Sequence, residues 1–149
     1  MAKFKYKMQN ILDIKNKLET QEKTAFAIAV QKLRTEEKRL KRIDNEILEY
    51  EELIRRQNEG TINVQEWKRC NEALEYKKNE RKQQLQQIKL AQKNVDIARG
   101  RLNKVMIERK TQEILKEKAF EEFVHEMNEN EKKEVDELVS FTYNDTESR

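Results

Sequence analysis

Gln57-Asn58-Glu59-Gly60-Thr61-Ile62-Asn63 is the stretch that decides the fold. It is the one strong interruption in a chain of 149 residues that has no proline and two glycines, a composition that otherwise permits very long helices. Gly60 suits a left-handed cap closing a preceding helix. Asn63, followed three residues later by Glu66, approximates the capping box that opens a new one. So short a connection between two long amphipathic helices makes them antiparallel neighbours.

Upstream of the turn, Phe4, Ile11 and Leu18 step by seven, and Phe26, Leu33, Leu40, Ile47 and Ile54 step by seven again, the stripe of a coiled coil. Between Leu18 and Phe26 the step is eight, and Leu18, Ala29 and Leu40 follow an eleven-residue spacing, so a local relaxation of the supercoil is expected. Downstream, Trp67, Leu74, Ile88, Val95 and Leu102 continue the pattern. Leu85, Met106, Phe120 and Met127 lie on the adjoining four-residue offset, and Phe123 rejoins the first row. Gly100, near the alanine cluster Ala25, Ala27 and Ala29 of the opposite arm, reads as a close-approach or bending point.

The expected fold is therefore all-α, an antiparallel two-helix coiled-coil hairpin with a longer second helix overhanging the first. A single coiled-coil domain over 1–149 is expected, with helix one about 4–57, the turn at 58–63, helix two about 64–140 and a disordered tail at 141–149. Folding at Gly60 sets Ile54 beside Trp67, Ile47 beside Leu74, Leu33 beside Ile88 and Phe26 beside Val95, a ladder of apolar partners. Glu36, Lys78, Arg81, Gln92, Arg99 and Arg109 fall at or beside the seam and must reach outward or bond across it. Such gaps are expected to leave Leu40 and Ile43 partly uncovered. Pairing exhausts helix one near residues 116–117, so Phe120, Phe123 and Met127 are expected on an unpaired overhang, where exposed apolar residues ask for a partner.

Charge and composition narrow the function. With 36% hydrophobic and 41% charged residues, the chain lacks the material for a thick core but has enough for a narrow seam. The net charge of +3 conceals a basic body and an acidic end: residues 1–120 carry 29 Lys and Arg against 19 Asp and Glu. Acids interleave with the bases and no aromatic platforms accompany them, so nucleic acid is not an expected partner. No apolar run is long enough for a secretion signal or a membrane span. The single cysteine, Cys70, suits a reducing compartment.

Catalytic constellations are missing from the sequence. Gly60 and Gly100 stand far apart, whereas a phosphate cradle needs clustered glycines whose backbone N–H groups converge. His125-Glu126 has Glu129 where a helical zinc site requires a second histidine, and Cys70 has no base or pocket to make it a nucleophile. No enzyme activity, cofactor or metal is expected. Trp67 reads either as a plug sealing the hairpin near its turn or as a docking residue, and Tyr50 stands equally open between packing and contact.

Three stretches together resemble the flagellar FliJ family: Phe4-Lys5-Tyr6-Lys7-Met8-Gln9-Asn10-Ile11-Leu12-Asp13, then Glu108-Arg109-Lys110 leading to Leu115-Lys116-Glu117-Lys118, and Asn130-Glu131-Lys132-Lys133-Glu134-Val135-Asp136-Glu137. The resemblance implies a non-catalytic stalk of the flagellar type III export apparatus, similar in shape to the γ subunit of rotary ATPases and inserted into the hexameric export ATPase FliI. It implies contact with the gate protein FlhA and binding of certain export chaperones. The implied location is cytoplasmic, peripheral to the inner-membrane export apparatus through these partners, with a free monomer. Phe4, Arg109, Phe120, Phe123 and Met127 become the implied ring contacts, and Ile43 and Tyr50 match the face turned to the gate. Ala73 and Lys77 depart from the family, which offers larger apolar residues there. Two other readings stand beside the stalk: an escort for secretion substrates or their chaperones, using a groove at Leu40 and Ile43, and a homodimeric coiled-coil scaffold.

Overall fold

A computed structural model describes the backbone of residues 2–147 and the side chains of residues 2–142. Two helices, α1 (Gln9–Gln57) and α2 (Val64–Glu147), form an all-α hairpin whose second helix is much the longer. Asn63 caps α2 as expected, its side-chain oxygen accepting from the backbone N–H groups of Gln65 at 3.1 Å and Glu66 at 3.4 Å. Arg55 and Arg56 in the last turn of α1 and Glu66 in the first turn of α2 complement the helix dipoles.

The ends differ from the sequence expectation. Helix one starts at Gln9, not near Phe4. Its first turn holds no acid and is preceded by Lys3, Lys5 and Lys7, charges that oppose the positive end of a helix. The connection holds no left-handed residue: neither glycine has a positive φ, and α1 closes instead through the N–H of Asn58 to the carbonyl of Ile54 and that of Glu59 to Arg56, both 3.2 Å. The stretch expected as a disordered tail, 141–149, is helical through Glu147; Ser148 and Arg149 lie outside the described residues. Gly100 is not a close-approach point, for a Cβ built there meets nothing within 4 Å.

Packing contacts divide the chain into two compact units, residues 20–103 and residues 1–19 with 104–149. In the first unit, Ile43, Ile47 and Leu74 form a buried cluster, with Tyr50 and Ile54 packed against it, which places Ile47 beside Leu74 as the ladder requires. The inward row of α2 runs Leu74, Lys77, Arg81, Gln84, Ile88, Ala91, Val95, Ala98 and Leu102, alternating steps of three and four. Its polar members are bonded: Arg81 Nε donates to Asp44 at 2.6 Å, and Lys77 Nζ pairs with Glu46 at 2.6 Å. At Glu36, only 3% exposed, the Gln84 amide donates both to the backbone carbonyl at 2.8 Å and to the carboxylate at 2.5 Å. Arg99, 5.7 Å from the centre of the Phe26 ring, covers it as a cation over a π face.

No gap opens at Ile43. At 2% exposed it is the most deeply buried large side chain, while Leu40 stays partly uncovered as expected. The expected slip in α1 takes another form as well. The inward positions run Leu12, Glu19, Phe26 at steps of seven, with Glu19 only 7% exposed and Ile11 on the solvent side. The seam keeps its heptad by burying a carboxylate.

Candidate functional site

The second unit carries the residues singled out as ring contacts. Residues 2–6 run outside any helix and lie along α2, where the Phe4 ring meets Phe120 edge-on at 5.3 Å and Phe123 at 5.5 Å and 49°. Tyr6 fastens the strap further down, its hydroxyl donating to Gln112 Oε1 at 2.7 Å. The alternation of Phe4 and Tyr6, half-buried, with Lys3, Lys5 and Lys7, exposed, is what an extended chain laid on a surface requires. An open groove of about 770 Å³ runs alongside, walled by Leu115, Ala119, Phe123, Glu122 and Glu126.

Phe120 and Phe123 are thus covered in part by the strap and do not stand on a bare overhang. The sequence expectation counted Phe4 as the start of helix one, whereas an extended segment reaches further along α2 per residue than a helix does. Phe120 remains 49% exposed, while Phe123 and Met127 are half-buried. Arg109 is turned inward. Its guanidinium pairs with Glu19 and, at 2.9 Å, with Glu113, and its side chain is 18% exposed, so no partner reaches it without breaking two ion pairs. Glu113 foremost, with Glu19, raises its pKa above the ordinary arginine value. One turn away, Lys15 pairs with Glu108 at 2.7 Å and holds that carboxyl below its usual range.

Beyond Met127 every described side chain of α2 is exposed, and Val135 (57%), Leu138 (65%), Val139 (63%) and Phe141 (73%) are apolar. The sequence reading passed over them. Val135, Leu138 and Val139 at i, i+3 and i+4 are a helical stripe, but the acids around them disguise it. Residues 121–142 carry eight carboxylates and two lysines.

The two residues singled out for the gate separate in the first unit. Ile43 is sealed in the seam, whereas Tyr50 is half-buried and lines a groove of about 510 Å³ with Glu46, Glu49, Leu53 and Lys77. Leu53, 43% exposed, is the apolar surface residue that spacing alone did not single out. Trp67 is 40% exposed at the start of α2, too open for a plug sealing the turn. His125 is exposed and Cys70 half-buried. Among the described residues no group of His, Cys, Asp and Glu is placed to hold a metal, and no helix is long and apolar enough to cross a membrane.

Comparison with known proteins gives one match: the model of a family described as flagellar FliJ protein aligns with residues 4–148, nearly the whole chain. No curated protein and no solved structure gives a significant match.

Proposed function

The chain belongs to the flagellar FliJ family, a component of flagellar export, and on that premise we propose that it is the coupling stalk of the type III export ATPase complex. The observation that carries this reading is the unequal hairpin, whose second helix continues past its partner with Val135, Leu138, Val139 and Phe141 bare to solvent. A side chain such as Phe141, 73% exposed on a helix with no neighbour, stabilises nothing in the free chain and gains only when another protein covers it. A hexameric, FliI-like ATPase ring is the partner we assign to that end, with Phe4, Phe120, Phe123 and Met127 at the margin of the contact. Arg109 acts from behind, holding α1 to α2 beneath it.

The first unit offers Tyr50 and Leu53 to an FlhA-like gate protein, and Ile43 supports them from the core. The stalk is a monomer when free, works on the cytoplasmic side and reaches the membrane only through its partners; the chemistry belongs to the ATPase. With Ile43 sealed and only Leu40 partly uncovered, an escort role would need the Tyr50 groove or the bare end of α2. The deciding measurement is the turnover of the cognate ATPase with and without this chain. Stimulation together with co-purification supports the stalk. An unchanged rate and no complex would sink it.

A further inference from the structure

We propose that residues 2–8 are a detachable latch, and that the face of α2 beneath them is a binding site for an extended peptide in which aromatic residues alternate with lysines. The chain fills this site with its own Ala2-Lys3-Phe4-Lys5-Tyr6-Lys7-Met8. The proposal concerns part of the surface assigned above to the ring, yet it does not rest on the identity of that partner.

The site has a floor, an anchor and a charged rim. Leu115, Ala119, Phe120 and Phe123 make the floor, a run at helical spacing that α1 does not cover because α1 begins only at Gln9. Phe4 is the anchor, with both rings of the floor within 5.5 Å. Glu122 and Glu126 supply the rim, lining the same groove as Lys3, Lys5 and Lys7 of the strap. Aromatic side chains set on the floor and lysines bordering the same acid-lined groove constitute one recognition code.

The strap is built to leave. Its hold on α2 consists of side-chain contacts, two ring pairs and the Tyr6 hydrogen bond, and the adjoining groove of about 770 Å³ shows that it does not fill the space. Segments with few buried contacts open at far lower cost than the body of a fold. Its links into α1 are the turn in which Gln9 N–H donates to the Tyr6 carbonyl at 3.1 Å and the N–H groups of Ile11 and Leu12 donating to the Met8 carbonyl at 3.0 and 3.1 Å. The strap therefore hinges at residues 6–8 and can swing off α2 without unwinding the helix. A tethered segment competes at an effective concentration on the order of millimolar. A free peptide of the same chemistry is therefore shut out until the strap lets go, and release bares Phe120 and Phe123 together.

Fluorescein-labelled peptide of residues 2–8 provides the probe, titrated by anisotropy against the full chain and against full-length Phe4→Ala. We expect the variant to bind it about tenfold more tightly than the parent, because removing the cis competitor raises the open fraction. A peptide with alanine in place of Phe4 should not bind, and added salt should weaken the contact. Equal binding to parent and variant, or none to either, overturns the proposal. As a second readout, trypsin should cleave after Lys5 and Lys7 faster in full-length Phe120→Ser than in the parent, with helicity unchanged. An unaltered cleavage rate overturns the latch. Neither readout involves the ATPase, so the stalk reading can fail while this one stands.

Discussion

Glu36 shows how one residue can set the conditions under which this fold holds. Its carboxylate is 3% exposed, yet the Lys32 ammonium at 3.0 Å and the Gln84 amide keep its pKa below the ordinary 4.5. A carboxyl whose folded value lies below its unfolded one contributes stability that is fully present above about pH 4.5 and is lost as pH falls through the folded value. Thermal melting of the parent should therefore decline more steeply below pH 4.5 than that of Glu36→Gln, and the two curves should converge in acid; parallel curves would remove Glu36 from the account. The sequence placed Glu36 at the seam, but its partner Gln84 was not legible. A glutamine in a helix reads as solvent-facing until the opposite helix leaves a carboxylate there to be met.

At the scale of the element, the two helices were written plainly in the sevenfold spacing of apolar residues, while the irregularities were misread for one reason. A stripe followed by apolar residues alone jumps from Leu18 to Phe26; followed by burial, it passes through Glu19, whose charge Arg109 answers from α2. The same cause hid Ala91 and Ala98, at 5% and 9% exposed, which are too small to draw the eye as seam residues. It also hid the start of α1, since Phe4 fits the helical count but belongs to an extended strap. A buried ion pair of this kind specifies register more than it stabilises. Replacing Arg109 alone with leucine strands Glu19 and should cost about 3–5 kcal/mol in urea unfolding, whereas leucine at both positions should be neutral or stabilising by about 1–4 kcal/mol. Equal losses in the single and double variants would mean that the pair contributes no such coupling.

For the whole molecule, the question is which parts hold the fold and which are held in reserve for a partner. Every packed cluster, Ile43 with Ile47 and Leu74 in one unit and Phe4 with Phe120 and Phe123 in the other, ends before residue 128. From there to Thr142 all side chains are exposed, and Val135, Leu138, Val139 and Phe141, at 57% to 73%, are not anchored. Length of helix without burial is a cost to the free chain, because an isolated helix of this size is marginal in water and its ordering must be offset elsewhere. If the offset comes from the ATPase, folding and function divide at about Met127. A chain ending at Asn128 should then keep the melting temperature of the parent hairpin and lose stimulation of ATP turnover together with co-purification. The Val135→Ser, Leu138→Ser and Val139→Ser triple variant should reproduce that loss at full length, separating the apolar stripe from mere helix length. Retained stimulation in both would move the ring contact to the strap and Phe120; a lowered melting temperature in the truncated chain would show instead that the bare end of α2 is tied to the fold by contacts its exposure does not reveal.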